Sequence, residues 1–432
     1  MEIAFFKEKI TPEIGAYLAG YGLNDKSVAI LDDLYACGLY MDDGNKKALI
    51  ISLDLLGLDE WFIKKCRKNI STILEIPEAA VMLTCTHTHT GPETRTLASA
   101  PQQLHTAYLD KLEKILSAEA EKLLSATFTD CNEFFYSEYC DANRNRRYVA
   151  GDNHATFTPH RREVIGSAEK LFADKELGGV AFFSKETSLP VYIIGNYAAH
   201  PLAGHSPGLG GLRISSDFPG AFRDYVTRNT GAECMFITGA AGDMVPKEDE
   251  LGDGAILDMG KKLGKAALGG VLEGKRNPLR FGMPEAKLDY TINTFTVPLR
   301  KKYANVQGKI PAPYLGSDTV TLEIQIIAIG EIAFVGVPGE MCAELGQEIK
   351  WNSPFRRTFI AYDATAYFSY MGSANNFAAG GYEAFSQRFY SRGGLKLLCC
   401  AEEALFEVYG RIYPDRDPDV CEDKTVTILP NW

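Results

Sequence analysis

Thr86-His87-Thr88-His89-Thr90-Gly91-Pro92 follows an apolar run, Ala79 to Leu83, that reads as a buried strand. Two imidazoles, two residues apart, leave the end of that run and enter a Gly-Pro turn. The chain has seven histidines in all, so two within three positions is a concentration. Imidazole suits zinc and other borderline metals, but one pair supplies too few ligands for a stable site. An exposed polar loop with incidental histidines is the alternative reading. What decides between them is whether other strand ends supply the missing ligands.

The segments around this motif set the fold class. Ala48 to Leu55, Gly179 to Phe183, Val191 to Tyr197, Met235 to Thr238, Leu288 to Val297, Val320 to Ile329 and Ile332 to Val337 read as strands. Glu60 to Leu74, Ala107 to Leu124, Pro219 to Arg228, Ala255 to Leu268, Met341 to Lys350 and Leu395 to Tyr409 read as helices. Ser216 or Asp217 is placed to cap the third of these, with Pro219 in its first turn. This alternation predicts an α/β architecture of mixed, twisted β-sheets flanked by helices. No linker divides the 432 residues, so residues 1–432 are expected to form a single catalytic domain. A lobe boundary is expected near 274–278, at Gly274-Lys275-Arg276-Asn277-Pro278.

Bulk composition excludes several classes. Hydrophobic residues make up 46% and charged residues 23%, so the chain is globular rather than disordered. The 45 basic and 56 acidic side chains leave a net charge of -11. That balance disfavours nucleic acid as a partner, and the basic cluster Arg144 to Arg147 with Arg161-Arg162 is too short to reverse it. No run of 18 apolar residues occurs, so no transmembrane segment is expected. The start, Met1-Glu2-Ile3-Ala4-Phe5-Phe6-Lys7, lacks a basic stretch before an apolar core and predicts no secretory leader. The ten cysteines include no C-x-x-C pair and read as buried thiols of a reducing compartment. The chain as given is expected to be cytoplasmic.

Four apolar runs end alike. Ala79 to Leu83 leads to His87 and His89, and Val191 to Ala199 leads to His200-Pro201. Met235 to Thr238 leads to Gly239-Ala240-Ala241-Gly242-Asp243, and Ile332 to Val337 to Pro338-Gly339-Glu340. Ligands in open α/β sheets bind beyond the carboxyl ends of strands. A His, an Asp and a Glu at three more such ends complete the H-x-H pair, and three protein ligands plus water is the pattern of hydrolytic zinc sites. Each element has a structural reading as well. His200 suits a satisfied core imidazole, Glu340 a helix start, Gly239 to Gly242 a tight turn, and Asp243 a cap. Asp54 and Asp217 suit either a second metal or a turn or cap.

The same residues carry a family resemblance. Thr86 to Pro92 resembles the "HTHSGP" signature of the neutral (non-lysosomal) ceramidases. In the same order, Asn143-Arg144 resembles the family's "NR", Ala198-Ala199-His200-Pro201 its "AIHP", and Ser216-Asp217 its "SD". Gly242-Asp243-Met244-Val245-Pro246 resembles "GDVSP", and Val337-Pro338-Gly339-Glu340 matches "VPGE". Tyr367-Phe368-Ser369-Tyr370 and Tyr382-Glu383-Ala384 resemble "YTHY" and "YEA". The resemblance covers about residues 87 to 384 and is to the catalytic domain. The family's C-terminal β-sandwich is expected to have no counterpart.

Carried over residue by residue, the resemblance implies a Zn2+ ion held by His87, His200, Glu340 and Tyr370. His89 is then a neighbour that orients or transfers protons. Arg144 and Tyr382 line the site and polarise the substrate carbonyl, and Asp243 shares the proton-transfer role with His89. The bland reading of Tyr370 is an aromatic packing residue. The family's serine in "GDVSP" is Val245 here, and valine can neither attack nor hydrogen-bond. A serine acyl-enzyme at this position is therefore excluded, whereas metal-activated water remains. The implied reaction is hydrolysis of an amide bond in a small-molecule or lipid substrate, with N-acyl sphingosine the default. Another amide or an ester, such as an acetylated sugar, and a non-catalytic metal-stabilised binding protein are the rivals.

Two other chemistries fit poorly. Gly204-His205-Ser206-Pro207-Gly208 matches G-x-S-x-G, but Pro207 has no N–H for the oxyanion hole that such a serine requires. Gly269 to Gly274 then Lys275 approaches a P-loop, but Arg276 stands where Ser or Thr is needed.

Overall fold

The computed structural model describes residues 1–20, 25–96, 106–149, 155–157, 169–170, 172–204, 212–247 and 251–418. Arg161-Arg162, residues 205–208 of the G-x-S-x-G match, and Cys421 lie outside them.

Two sheets dominate. The larger has eight strands in the order Glu233–Thr238, Pro190–Tyr197, Glu176–Ser184, Thr129–Tyr139, Glu2–Lys9, Tyr35–Asp42, Lys47–Leu53, Val81–Cys85. Its inner strands are antiparallel, but each edge pair is parallel. The second sheet runs Leu288–Pro298, Thr319–Ile329, Ile332–Gly336, Arg357–Ala361, and its last pair is also parallel. The strands Val81–Cys85 and Ile332–Gly336 are buried at every position, as expected for parallel strands covered on both faces. This is the mixed α/β architecture that the alternation of segments implies.

The two sheets share one core. Ile50, Met82, Phe182, Ile194 and Met235 from the larger sheet pack with Ile327, Phe334 and Phe359 from the smaller. Helices Glu60–Leu74 and Thr106–Leu124 cover one half of the larger sheet's outer face. Helices Asp217–Thr230 and Asp253–Arg276 cover the other half. Ala343–Asn352 and Arg392–Ile412 cover the smaller sheet. Helix Glu60–Leu74 shows why such segments fold as they do. Its buried residues Phe62, Ile63, Cys66, Ile70 and Leu74 recur at helical spacing, and it stops at Glu75 in the left-handed conformation. Residues 274–278 join helix Asp253–Arg276 to the short helix Pro278–Phe281, after which the chain enters the second sheet.

The Asp residues with two readings turn out to be braces. Asp54 is fully buried and pairs with Arg223, whose Nη1 donates to its Oδ1 at 2.9 Å. The same carboxylate accepts the Tyr35 N–H at 2.9 Å and faces the Thr86 hydroxyl, so it holds the strand end that precedes His87. Asp217 accepts the N–H groups of Ala203, Gly204 and Phe218. It thereby ties the start of its own helix to the loop after His200.

Replacing Asp54 with Ala strands a buried guanidinium, and loss of one partner of a buried pair costs about 3–5 kcal/mol. Urea unfolding of Asp54→Ala is expected to show a loss of that order. Burial pushes the Asp217 carboxyl from 3.8 up to about 6. The folded state then holds this proton more tightly than the unfolded one. Its stabilising contribution is full below about pH 4 and is lost as pH rises through 6, by roughly 3 kcal/mol. Asp217→Asn is expected to flatten that part of the stability–pH curve, measured by denaturant titration between pH 4 and 7.

Candidate metal centre

The carboxyl ends of the parallel strand pairs converge on one point. Val81–Cys85 leads to His87, Pro190–Tyr197 to His200, Glu233–Thr238 to Asp243, and Ile332–Gly336 to Glu340. A fifth strand, Arg357–Ala361, leads to Asp363. His87, Asp363 and Ser369 have φ of 69°, 45° and 64°. Left-handed backbone at non-glycine residues is costly and gathers where function over-determines geometry.

The imidazoles are locked in one tautomer. Nδ1 of His200 lies 2.6 Å from the Ala241 carbonyl oxygen and 3.1 Å from that of Met244. Nδ1 of His87 lies 2.8 Å from the Leu56 carbonyl oxygen and 2.7 Å from Asp363 Oδ2. Carbonyl oxygens only accept, so each Nδ1 carries the hydrogen and each Nε2 carries a lone pair. Both lone pairs point toward the same carboxylate oxygen. Glu340 Oε2 is 3.6 Å from His87 Nε2 and 3.4 Å from His200 Nε2. Burial pushes both histidines down to about 4, so neither is an imidazolium near neutral pH. Burial alone raises the Glu340 carboxyl, but the charge that His87 and His200 carry when protonated, together with the Tyr367 hydroxyl, outweighs it and holds it well below its ordinary value.

Three electron-rich atoms thus face each other in a dry space, with His200 Nε2 buried and without a hydrogen-bond partner. A cation placed among them satisfies all three. Two neutral imidazoles and a carboxylate are the donor set of hydrolytic zinc sites, so the residues present fit the ion that the sequence implies. His89 joins the group: ligand atoms of His87, His89 and His200 lie within 4.8 Å of one another. The residue is partly exposed but both its ring nitrogens are buried, and its ring centroid is 5.1 Å from that of His87 and 5.6 Å from that of His200. Gly20 makes room for it, since a Cβ there would fall 2.3 Å from His89 Nδ1.

Tyr370 and Glu340 sit opposite each other in a short parallel ladder, Glu340–Met341 with Tyr370–Met371. That pairing replaces the start of the helix read at Met341, which begins at Ala343 instead. The Tyr370 hydroxyl accepts from Arg146 Nη2 at 3.0 Å. Burial and the Glu340 charge raise the Tyr370 phenol, while Arg146 pulls it down. Tyr382 is 48% exposed and packs its ring 5.4 Å from that of Tyr370, at the open side of the cluster. Arg144 is half-buried on Asn143–Asn145, opposite Val245 across a two-stranded ladder. Asp243 has both oxygens engaged: Oδ1 accepts the Ala343 N–H at 2.8 Å, and Oδ2 accepts from Asn145 Nδ2 at 2.9 Å. It caps a helix one hundred residues downstream.

Several residues of this centre went unread in the sequence. Asp363 orients His87, Tyr367 donates to Glu340 Oε1 at 2.6 Å, and the Tyr362 hydroxyl donates to Oε2 at 3.5 Å. Arg146 places its Nε 2.7 Å from Glu383 Oε1 and lies over the rings of Tyr370 and Tyr382. Arg95 covers the Tyr367 ring at 4.4 Å. Asp363 had a signal, because it follows an apolar strand as the other four site residues do.

No family model matches the chain, and no curated protein matches it. Among solved structures it is similar to a ceramidase complexed with C2, with a TM-score of 0.76 and 15% identity over 95% of this chain and 75% of that one. It is also similar to neutral ceramidase from Pseudomonas aeruginosa, with a TM-score of 0.72 and 17% identity over 95% of this chain and 74% of that one. At these identities the likeness is one of fold. The fold expected from the motifs is the one observed.

Partners that orient a metal-ligating histidine contribute about 10–100-fold to metal affinity. Asp363→Asn keeps the size of the side chain and replaces its carboxyl group with an amide. Zinc titration against a competing chelator is expected to show a loss in that range, with the melting transition retained.

Proposed function

We propose that this chain is a zinc-dependent hydrolase of amide bonds acting on an N-acyl substrate. The convergence of His87 Nε2 and His200 Nε2 on Glu340 Oε2 carries this reading. The ligands assigned are His87, His200, Glu340 and Tyr370. Zinc in such a donor set supplies a Lewis acid that polarises a carbonyl and brings the pKa of water to about 7.

The chain's own groups supply the rest. Tyr382, at the open side of the cluster, has a hydroxyl suited to donate to the oxygen that gains charge in the tetrahedral transition state. Arg146 keeps Tyr370 in place and adds positive charge beside it. Arg144 remains a candidate donor from the Asn143–Asn145 strand. His89 is assigned proton transfer to the leaving amine, since its ring lies beside those of His87 and His200 and burial keeps it neutral. Asp243 was the other candidate for that step, but both its oxygens already hold neighbouring loops, which suits a brace.

Val245 is buried on Met244–Pro246 beside the loop that holds His200. Its apolar side chain supports water rather than a side-chain nucleophile as the attacking group. N-acyl sphingosine is the first substrate to test, because one similar structure is a ceramidase complexed with C2. A cytoplasmic location accords with the nine described cysteines, all of which are free. Among the described residues no helix is long and apolar enough to cross a membrane.

Metal analysis with an activity panel tests this. The chain is expected to hold about one zinc, and His200→Ala or Glu340→Ala to lose at least about nine-tenths of it. Removal of zinc by chelation should abolish hydrolysis of N-acyl substrates, and re-addition should restore it. Full zinc with no turnover across N-acyl lipids, acetylated sugars and esters would leave a metal-stabilised binding protein. Activity confined to water-soluble amides would sink ceramide as the substrate.

A further inference from the structure

Buried arginines in this chain come with a carboxylate. Arg223 has Asp54, Arg95 has Glu93, Arg146 and Arg147 share Glu383, and Arg67 has Glu323. Among the described residues Arg388 departs from that pattern, with no carboxylate paired to it. It is 7% exposed, and its Nε is buried without a hydrogen-bond partner. Its guanidinium lies 4.3 Å from the ring centre of Tyr303, and its electrostatic neighbours are the phenols Tyr303, Tyr367 and Tyr382. Burial lowers its pKa, and the three phenols, with a hydrogen bond to Tyr303, offset that cost only in part. A buried cation without a counter-charge is unfavourable, and a ligand that supplies the missing charge relieves it.

Arg388 borders the candidate centre. Ser369 Oγ donates to the Ser386 carbonyl at 3.0 Å, and the Gly372 N–H donates to Gln387 Oε1 at 2.9 Å. These bonds dock the segment before Arg388 on either side of Tyr370–Met371. Of its phenol neighbours, Tyr367 holds Glu340 and Tyr382 packs on Tyr370. The surroundings are cationic as well. Arg300 Nη1 donates to the carbonyls of Ala384 and Gln387, and Lys302 Nζ to that of Phe385. This concentration of positive charge stands out in a chain of net charge -11.

We propose that Arg388 is the anion-recognition residue of a subsite bordering the metal centre, and that the substrate amide carries a tethered oxyanion. The proposal rests on the reading of the centre as an amide hydrolase and narrows its substrate class. Arginine presents a planar fork to carboxylate-type groups, which gives both affinity and orientation.

Two matched ligand pairs test it on the zinc-loaded chain by calorimetry, read as Kd, or as KM where the ligand turns over. N-octanoyltaurine against N-octanoylethanolamine puts the charge on the amine half, as a sulfonate. N-octylsuccinamate against N-octylsuccinamide puts it on the acyl half. In at least one pair the anion is expected to bind about tenfold tighter or better. Arg388→Gln should cut that preference to under about twofold with zinc content unchanged, and Arg388→Lys should restore part of it. No preference in either pair overturns the proposal. So does a preference that survives in Arg388→Gln, since the anion then binds elsewhere, the metal included. If Arg388→Gln fails to fold, the Arg388→Lys variant and the wild-type preference still decide. Selective binding without hydrolysis in every arm removes the amidase reading and leaves the subsite standing.

Discussion

Everything at the centre of this molecule follows from three lone-pair-bearing atoms that meet without a proton between them. His87 Nε2 and His200 Nε2 are held 3.6 and 3.4 Å from Glu340 Oε2 by backbone carbonyls behind the rings and a tyrosine hydroxyl behind the carboxylate. Left empty, the arrangement is repulsive. The fold sustains it because each ligand hangs from the end of a strand buried on both faces, where packing leaves little freedom to swing away. The left-handed backbone at His87 and Asp363 is part of the same bargain between local strain and global packing.

Around those three atoms the charges are arranged in layers. The imidazoles are neutral because they are buried, which is the state that ligation needs. Behind them Arg95 is matched to Glu93, Arg146 to Glu383 and Arg223 to Asp54. These pairs neutralise the interior without placing a proton donor into the centre itself. Arg146 alone reaches inward, to the Tyr370 hydroxyl. The layer thus fixes the positions of Glu340 and Tyr370 while leaving the space between them to a cation.

Much of this was legible in the sequence, and the rest was not, for physical reasons. The helix Glu60–Leu74 has the bounds its apolar spacing gives. The parallel edge strands read clearly because they are continuous apolar runs. Three strands inside the larger sheet, Glu2–Lys9, Tyr35–Asp42 and Thr129–Tyr139, went unread. Thr129–Tyr139 mixes Asp, Asn and Glu with aromatics, so neither period dominates. At the centre, strand ends were enough to point to His87, His200, Asp243 and Glu340. Tyr370 came only from the family resemblance, since tyrosine is not a donor that chemistry alone would select. Arg146, Tyr367 and Asp363 act through partners up to 276 residues away, a separation no local pattern records.

Val245 and Arg388 together bear on what the site accepts. The ladder that pairs Val245 with Arg144 also places Met244, whose carbonyl faces His200. Val245 there is buried and offers no hydroxyl. Tyr382 and the segment carrying Arg388 pack against the Tyr370 strand. On the proposed reading, Arg388 orients the substrate by its charged end. A shared fold at 15–17% identity leaves room for such a change, because the strand ends that hold a metal are separate from the loops that read a substrate.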